Sequence, residues 1–79
     1  MARISAILDK DQNLVRLGKA IRAKRKEREL TQEVLADHAE IDRSHMGFIE
    51  QGRRKPTLST LFKIAKSLDM SLEQLFKGL

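Results

Sequence analysis

The chain has no cysteine, which excludes a disulfide framework, a thiolate nucleophile and a cysteine-ligated zinc site. Its longest apolar run is a few residues, too short for a membrane span or a secretory signal, so the chain is expected in the cytoplasm. No strand-type alternation, repeat or low-complexity stretch is present. A nucleophile beside a base, a Gly-rich phosphate loop and a paired-carboxylate motif are all missing, which disfavours an enzyme. His38 and His45 fall on different expected helices with no third ligand at a recognisable spacing, so neither a metal nor a cofactor is expected. Acidic residues are in the minority: 11 Asp and Glu stand against 16 Lys and Arg, a net charge of +5. That balance suits a polyanionic partner without naming it.

What is present reads as helix. At 79 residues there is room for one domain, and a chain this short buries only roughly 60% of its unfolded surface, so a lone subunit is expected to be marginal and to gain from dimerisation. The first dozen residues carry Ile4, Ile7 and Leu8 at helical spacing but are too few to hold a helix unaided. Residues 1–12 are therefore read as an arm or short helix. Residues 13–79 are read as the folded domain. A first helix over 13–29 turns Leu14, Leu17 and Ile21 inward and its many basic residues outward. Thr31 is an N-cap for a second helix whose stripe is Leu35, Ala36 and Ala39. Asp42 is placed to cap a third over 43–51, with Met46 and Ile49 inward and Gly52 at its left-handed end. Ala36 is small where those two helices must cross, and Ile41 plugs the corner. Pro56 and the Thr57 cap open a fourth helix, with Leu58, Leu61, Phe62, Ile64, Ala65 and Leu68 expected in the core. Ser71 with Gln74 is a capping box for a fifth over 72–77. Two helices as short as the second and third make sense only as a rigid corner on a larger helical body.

The stretches TQEVLA, IEQGRRKPTL and LFKIAKSLDMSLEQLF match in type and spacing a known pattern. Residues 17–76 resemble the lambda-repressor-like (XRE/Cro) helix-turn-helix family of phage repressors, Cro proteins and restriction-modification controller proteins, closest in type to the controllers. The resemblance implies an all-α, compact five-helix domain that lays its third helix in the DNA major groove and acts as a transcriptional regulator. One departure is Glu40, where the family usually has glycine in a left-handed turn; a side chain there costs on the order of 1 kcal/mol.

The resemblance puts Arg43, Ser44 and Phe48 at positions that meet base edges in relatives, with His45 beside them. Chemistry favours Arg43, because a guanidinium can pair with guanine O6 and N7 together. Phe48 is large, apolar and opposite the inward Met46 and Ile49, so it either touches a thymine methyl or folds back as core. Thr31 and Gln32 begin the second helix, whose free amides can hold a phosphate, and Gln32 can also brace the recognition helix. Arg53, Arg54 and Lys55 leave the third helix just past Gly52 and are placed to grip flanking phosphates. The resemblance also pairs Glu50 with an arginine at the position of Arg25, as a structural ion pair. Leu72, Leu75, Phe76 and Leu79 exceed what so small a core can cover. They are expected either to form a homodimer interface or, for Leu72, Leu75 and Phe76, to close the monomer's own core, with Leu79 a frayed end. A two-fold dimer would demand a pseudo-palindromic operator of double-stranded DNA. An RNA polymerase contact and a toxin partner, as for an antitoxin-like module, stay open.

Overall fold

The computed structural model describes residues 11–79, and the arm expected over residues 1–12 lies outside the described residues except for its last two. Five helices follow one another: α1 (Gln12–Glu27), α2 (Gln32–Ala39), α3 (Arg43–Glu50), α4 (Leu58–Ser67) and α5 (Leu72–Phe76). None among the described residues is long and apolar enough to cross a membrane.

Short polar side chains start these helices. The Asn13 amide donates to Asp11 Oδ1 at 2.8 Å, the Val34 amide to Thr31 Oγ1 at 3.1 Å and the Thr60 amide to Thr57 Oγ1 at 3.1 Å. Ser71 and Gln74 form the reciprocal capping box at α5. Asp42 differs from expectation: it precedes α3, yet its carboxylate makes no cap hydrogen bond.

The ends of α1 to α4 share one device, in which a left-handed residue lets the next amide reach back to a carbonyl of the last turn. Leu30 reaches Arg25, Ile41 reaches Ala36 and Met70 reaches Ala65, each at 3.0 Å, and Arg53 reaches Phe48 at 2.8 Å. The left-handed residues are Glu29 (φ 55°), Glu40 (φ 61°), Gly52 (φ 75°) and Asp69 (φ 57°). Glu29 accounts for α1 ending two residues before the expected boundary.

The core gathers one stripe from each helix: Leu17 and Ile21 from α1, Leu35, Ala36 and Ala39 from α2, Met46 and Ile49 from α3, Leu61, Ile64 and Ala65 from α4, and Leu75 from α5. Leu68, capping α4, is fully buried with them. In the resulting corner α2 packs against both α3 and α4, while α1 lies on α3 and α5. Ile41 is half-buried against the core beside the turn.

Two apolar residues of α4 depart from expectation. Leu58 is 61% exposed and Phe62 56% exposed. The stripe Leu61, Ile64, Ala65 and Leu68 fills the side of α4 that meets α2, and Leu58 and Phe62, four residues apart, form a second stripe beside it.

Two glycines let α1 press on the end of α3. A Cβ on Gly18 would stand 2.4 Å from the Glu50 carbonyl oxygen and 2.5 Å from that of Ile49. A Cβ on Gly52 would stand 2.7 Å from the Val15 Cα. Both contacts are with backbone, which cannot swing aside as a flexible side-chain tip could, so only glycine permits this approach.

Candidate nucleic-acid interface

At the centre of the site is an ion pair that is not itself on the surface. Arg25 Nε donates to Glu50 Oε2 at 2.7 Å and Arg25 Nη2 to Glu50 Oε1 at 3.0 Å, a two-pronged contact with Glu50's side chain only 2% exposed. Arg25 Nη1 donates to the Leu30 carbonyl at 2.8 Å, and Gln32 Nε2 to Glu50 Oε1 at 3.0 Å. A single network thus joins the end of α1, the start of α2 and the end of α3. Gln32 also lies over Gly47, where a Cβ would meet its amide at 3.6 Å, so the start of α2 rests directly on α3.

Held in this way, α3 buries Met46, Gly47, Ile49 and Glu50 and turns the start of its opposite face to solvent. Arg43 and Ser44 are exposed there, and His45 and Phe48 are half-buried. Arg43 shares a shallow cleft with Thr31, Gln32 and Glu33, so the expected base-reading arginine sits beside the expected phosphate-binding start of α2. Thr31 keeps its cap bond to the Val34 amide, and the amides of Gln32 and Glu33 take no part in capping bonds.

A second cleft widens this surface. Val15, Lys19 and Arg22 of α1 line it together with Gln32 and Gln51. The sequence places Lys19 and Arg22 among the outward basic residues of the first helix. Their spacing with Arg25, three residues apart each time, is the signal that would have placed them on the α3 side of α1.

Beyond Gly52, Arg53, Arg54 and Lys55 are exposed. Arg53 Nη1 donates to Gln51 Oε1 at 3.4 Å. The Arg53 and Arg54 guanidinium carbons lie 5.0 and 5.3 Å from the centroid of the Phe48 ring. The sequence left Phe48 between a thymine contact and a core role; it is half-buried and engaged by two arginines.

The four apolar residues expected at a dimer interface do not share one surface. Leu75 is 1% exposed and belongs to the monomer core, which corrects its assignment to the interface: α5 is a single turn and a half, and Leu75 is its inward anchor. Leu72, half-buried, lines a groove between α4 and α5 with Phe62 and Met70. Phe76 and Leu79 line a different groove, with Leu14 and Leu17 at the start of α1. There Arg16 Nη2 donates to the Leu79 carbonyl.

Among the described residues no group of three or more His, Asp and Glu side chains could hold a metal ion. The cationic surface instead runs from Lys19 and Arg22, across Arg43, to Arg53, Arg54 and Lys55, and its chemistry is that of a face suited to a polyanion.

The chain is similar in sequence and in fold to known proteins. The helix-turn-helix family HTH_3 matches residues 21–75. Control protein C.MunI of a Mycoplasma species is 35% identical over 66 residues, covering 82% of this chain and 89% of that protein. The immunity repressor protein of Bacillus phage phi105 is 45% identical over 56 residues, 71% of this chain; the match spans 39% of the repressor's own length. The crystal structure of the restriction-modification controller protein C.AhdI from Aeromonas hydrophila superposes with a TM-score of 0.81 at 36% identity, covering 84% of this chain and 100% of that one. The chain belongs to the helix-turn-helix family HTH_3, and is a DNA-binding transcriptional regulator of the controller and phage-repressor type.

Proposed function

We propose that the chain binds a pseudo-palindromic operator in double-stranded DNA as a homodimer, and that this operator controls its own gene. The observation that carries the reading is the division of α3. Its inner face is buried and tied to α1 and α2, while Arg43 and Ser44 at its leading end are exposed and have no hydrogen-bond or ion-pair partner among the described residues. Donors at the N-terminal end of a recognition helix are the groups that reach base edges, so Arg43 and Ser44 supply readout, with His45 at the edge of that contact. The start of α2 at Thr31 and Gln32, and the loop Arg53 to Lys55, hold the phosphates to either side. The protein works in the cytoplasm, where its operator is.

The dimer forms through the groove between α4 and α5. Phe62 is the more exposed of the two large aromatic side chains near α5, and it is continuous with Met70 and Leu72. An exposed apolar patch of this kind suits a two-fold interface, which would space two recognition helices one DNA turn apart, roughly 34–36 Å.

Anisotropy titration against a duplex from just upstream of the chain's own gene and a scrambled control, near physiological salt, tests the DNA reading. Tight, cooperative binding to the first alone supports it; equal weak binding to both removes it. Analytical ultracentrifugation tests the interface. Phe62→Lys should yield monomers and abolish cooperativity, whereas Phe76→Lys should leave the dimer intact; the reverse result would move the interface to the α1–α5 groove.

A further inference from the structure

Phe48 is the only aromatic residue of α1 to α3, and the chain contains neither tryptophan nor tyrosine. Its ring has two guanidinium groups within cation–π range, at 5.0 and 5.3 Å. Arg53 and Arg54 are successive residues in a loop that has just left α3, and neither forms an ion pair with a carboxylate among the described residues. Two like charges are thus held beside one neutral ring, with no carboxylate paired to them among the described residues.

We propose that Phe48 is a positioning residue for DNA backbone binding: its ring holds Arg53 and Arg54 together as a preformed cradle for a phosphodiester, and it does not read a thymine methyl. This role rests on the DNA-binding reading above. The backbone already directs the loop toward Phe48. The Arg53 amide donates to the Phe48 carbonyl at 2.8 Å, and Gly52 makes the left-handed bend that this requires. Arginine side chains lose much rotamer freedom when they grip an anion, and a ring that orders them beforehand lowers that cost. The ring's quadrupole also tolerates both charges until an anionic oxygen arrives to take hydrogen bonds from the guanidinium forks. A ring engaged in this way has little free face for a base.

The test is a double-mutant cycle read by DNA binding. Phe48→Leu keeps apolar bulk but removes the π face. It should weaken binding to a mixed-sequence duplex and to the duplex upstream of the chain's own gene by the same factor, about threefold to tenfold. In an Arg53→Ala/Arg54→Ala background, Phe48→Leu should cost nothing more, and Phe48→Trp should bind like the parent. Replacing every thymine of the upstream duplex by uracil should leave parent affinity unchanged. Losses that add across the cycle would overturn the role, and they would also expose a variant that merely folds poorly. A uracil duplex that weakens the parent but not Phe48→Leu would overturn it in favour of methyl contact. Parent protein that binds neither duplex would overturn the DNA reading and this role with it, whereas a parent that binds and a Phe48→Leu that binds equally would overturn this role alone.

Discussion

The two faces of α3 solve opposite problems with similar residues. On the inner side Arg25, Gln32 and Glu50 are fully engaged: every prong of the guanidinium has an acceptor, and no buried side-chain nitrogen or oxygen among the described residues lacks a partner. On the outer side Arg43, Arg54 and Lys55 are exposed with no hydrogen-bond or ion-pair partner among the described residues. A charge satisfied inside the protein fixes geometry, and a charge left unsatisfied on a fixed geometry is what a polyanion can use. Substitutions on the inner face should therefore cost folding, and those on the outer face recognition.

The largest expected effect breaks the inner face. Glu50→Ala leaves Arg25 buried without its anion, and removing one member of such a pair costs about 3–5 kcal/mol. In a domain this small that is most of the folding free energy, so urea denaturation should show a broadly unfolded population and DNA binding should fail with it. Arg43→Ala, measured in the same way, should stay within about 0.5 kcal/mol of the parent. A Glu50→Ala protein that melts like the parent would collapse the distinction between the two faces.

Features set by near neighbours in the chain were the more legible in the sequence. Caps at Thr31, Thr57 and Ser71, the glycine after α3 and the Leu35–Ala36–Ala39 stripe follow from local rules, because a cap or a helical period needs only its own few residues. What was hidden depends on neighbours distant in sequence. Gly18 looks like a weak point in a helix until the backbone of Glu50 is found against it. Leu58 and Phe62 satisfy the helical period as well as Leu61 and Ile64 do, and only the position of α2 decides which stripe is covered. In α5, five residues long, apolar side chains point to the core and to two separate grooves, and composition alone does not sort them. Phe48 was recognisably out of place in the sequence, but its partners come from a loop whose path no periodicity describes.

A smaller effect sharpens the outer face by dividing it. Arg43→Ala should lose about 1–3 kcal/mol of preference for the cognate site while retaining its binding to random DNA. Lys55→Ala should weaken both equally and flatten the dependence of log affinity on log salt by about one unit. Competition titrations at several salt concentrations separate the two. Equal losses on specific and random DNA for both variants would show that readout and backbone grip are not divided between α3 and its following loop.

The smallest effect lies at the turn between α2 and α3. Glu40 ends α2 in the left-handed conformation, and its Oε1 meets Lys63 Nζ of α4 at 2.6 Å. The Lys63 ammonium, by hydrogen bond and by charge, holds the Glu40 carboxyl below the usual carboxylate range. A carboxyl whose folded value is depressed contributes stability that is present above its unfolded pKa, near 4.5, and lost as pH falls through the lower folded value. Both side chains are largely exposed, so water and salt screen the pair and the contribution is slight. Thermal melts should show the parent losing its small advantage over Lys63→Met as pH drops below that of free glutamate, with the two curves converging in acid and again in high salt at neutral pH. Curves that stay parallel through the acid range would mean that the turn is held by its backbone geometry alone, and that the ion pair across α2 and α4 adds nothing to the rigidity with which the recognition helix is presented.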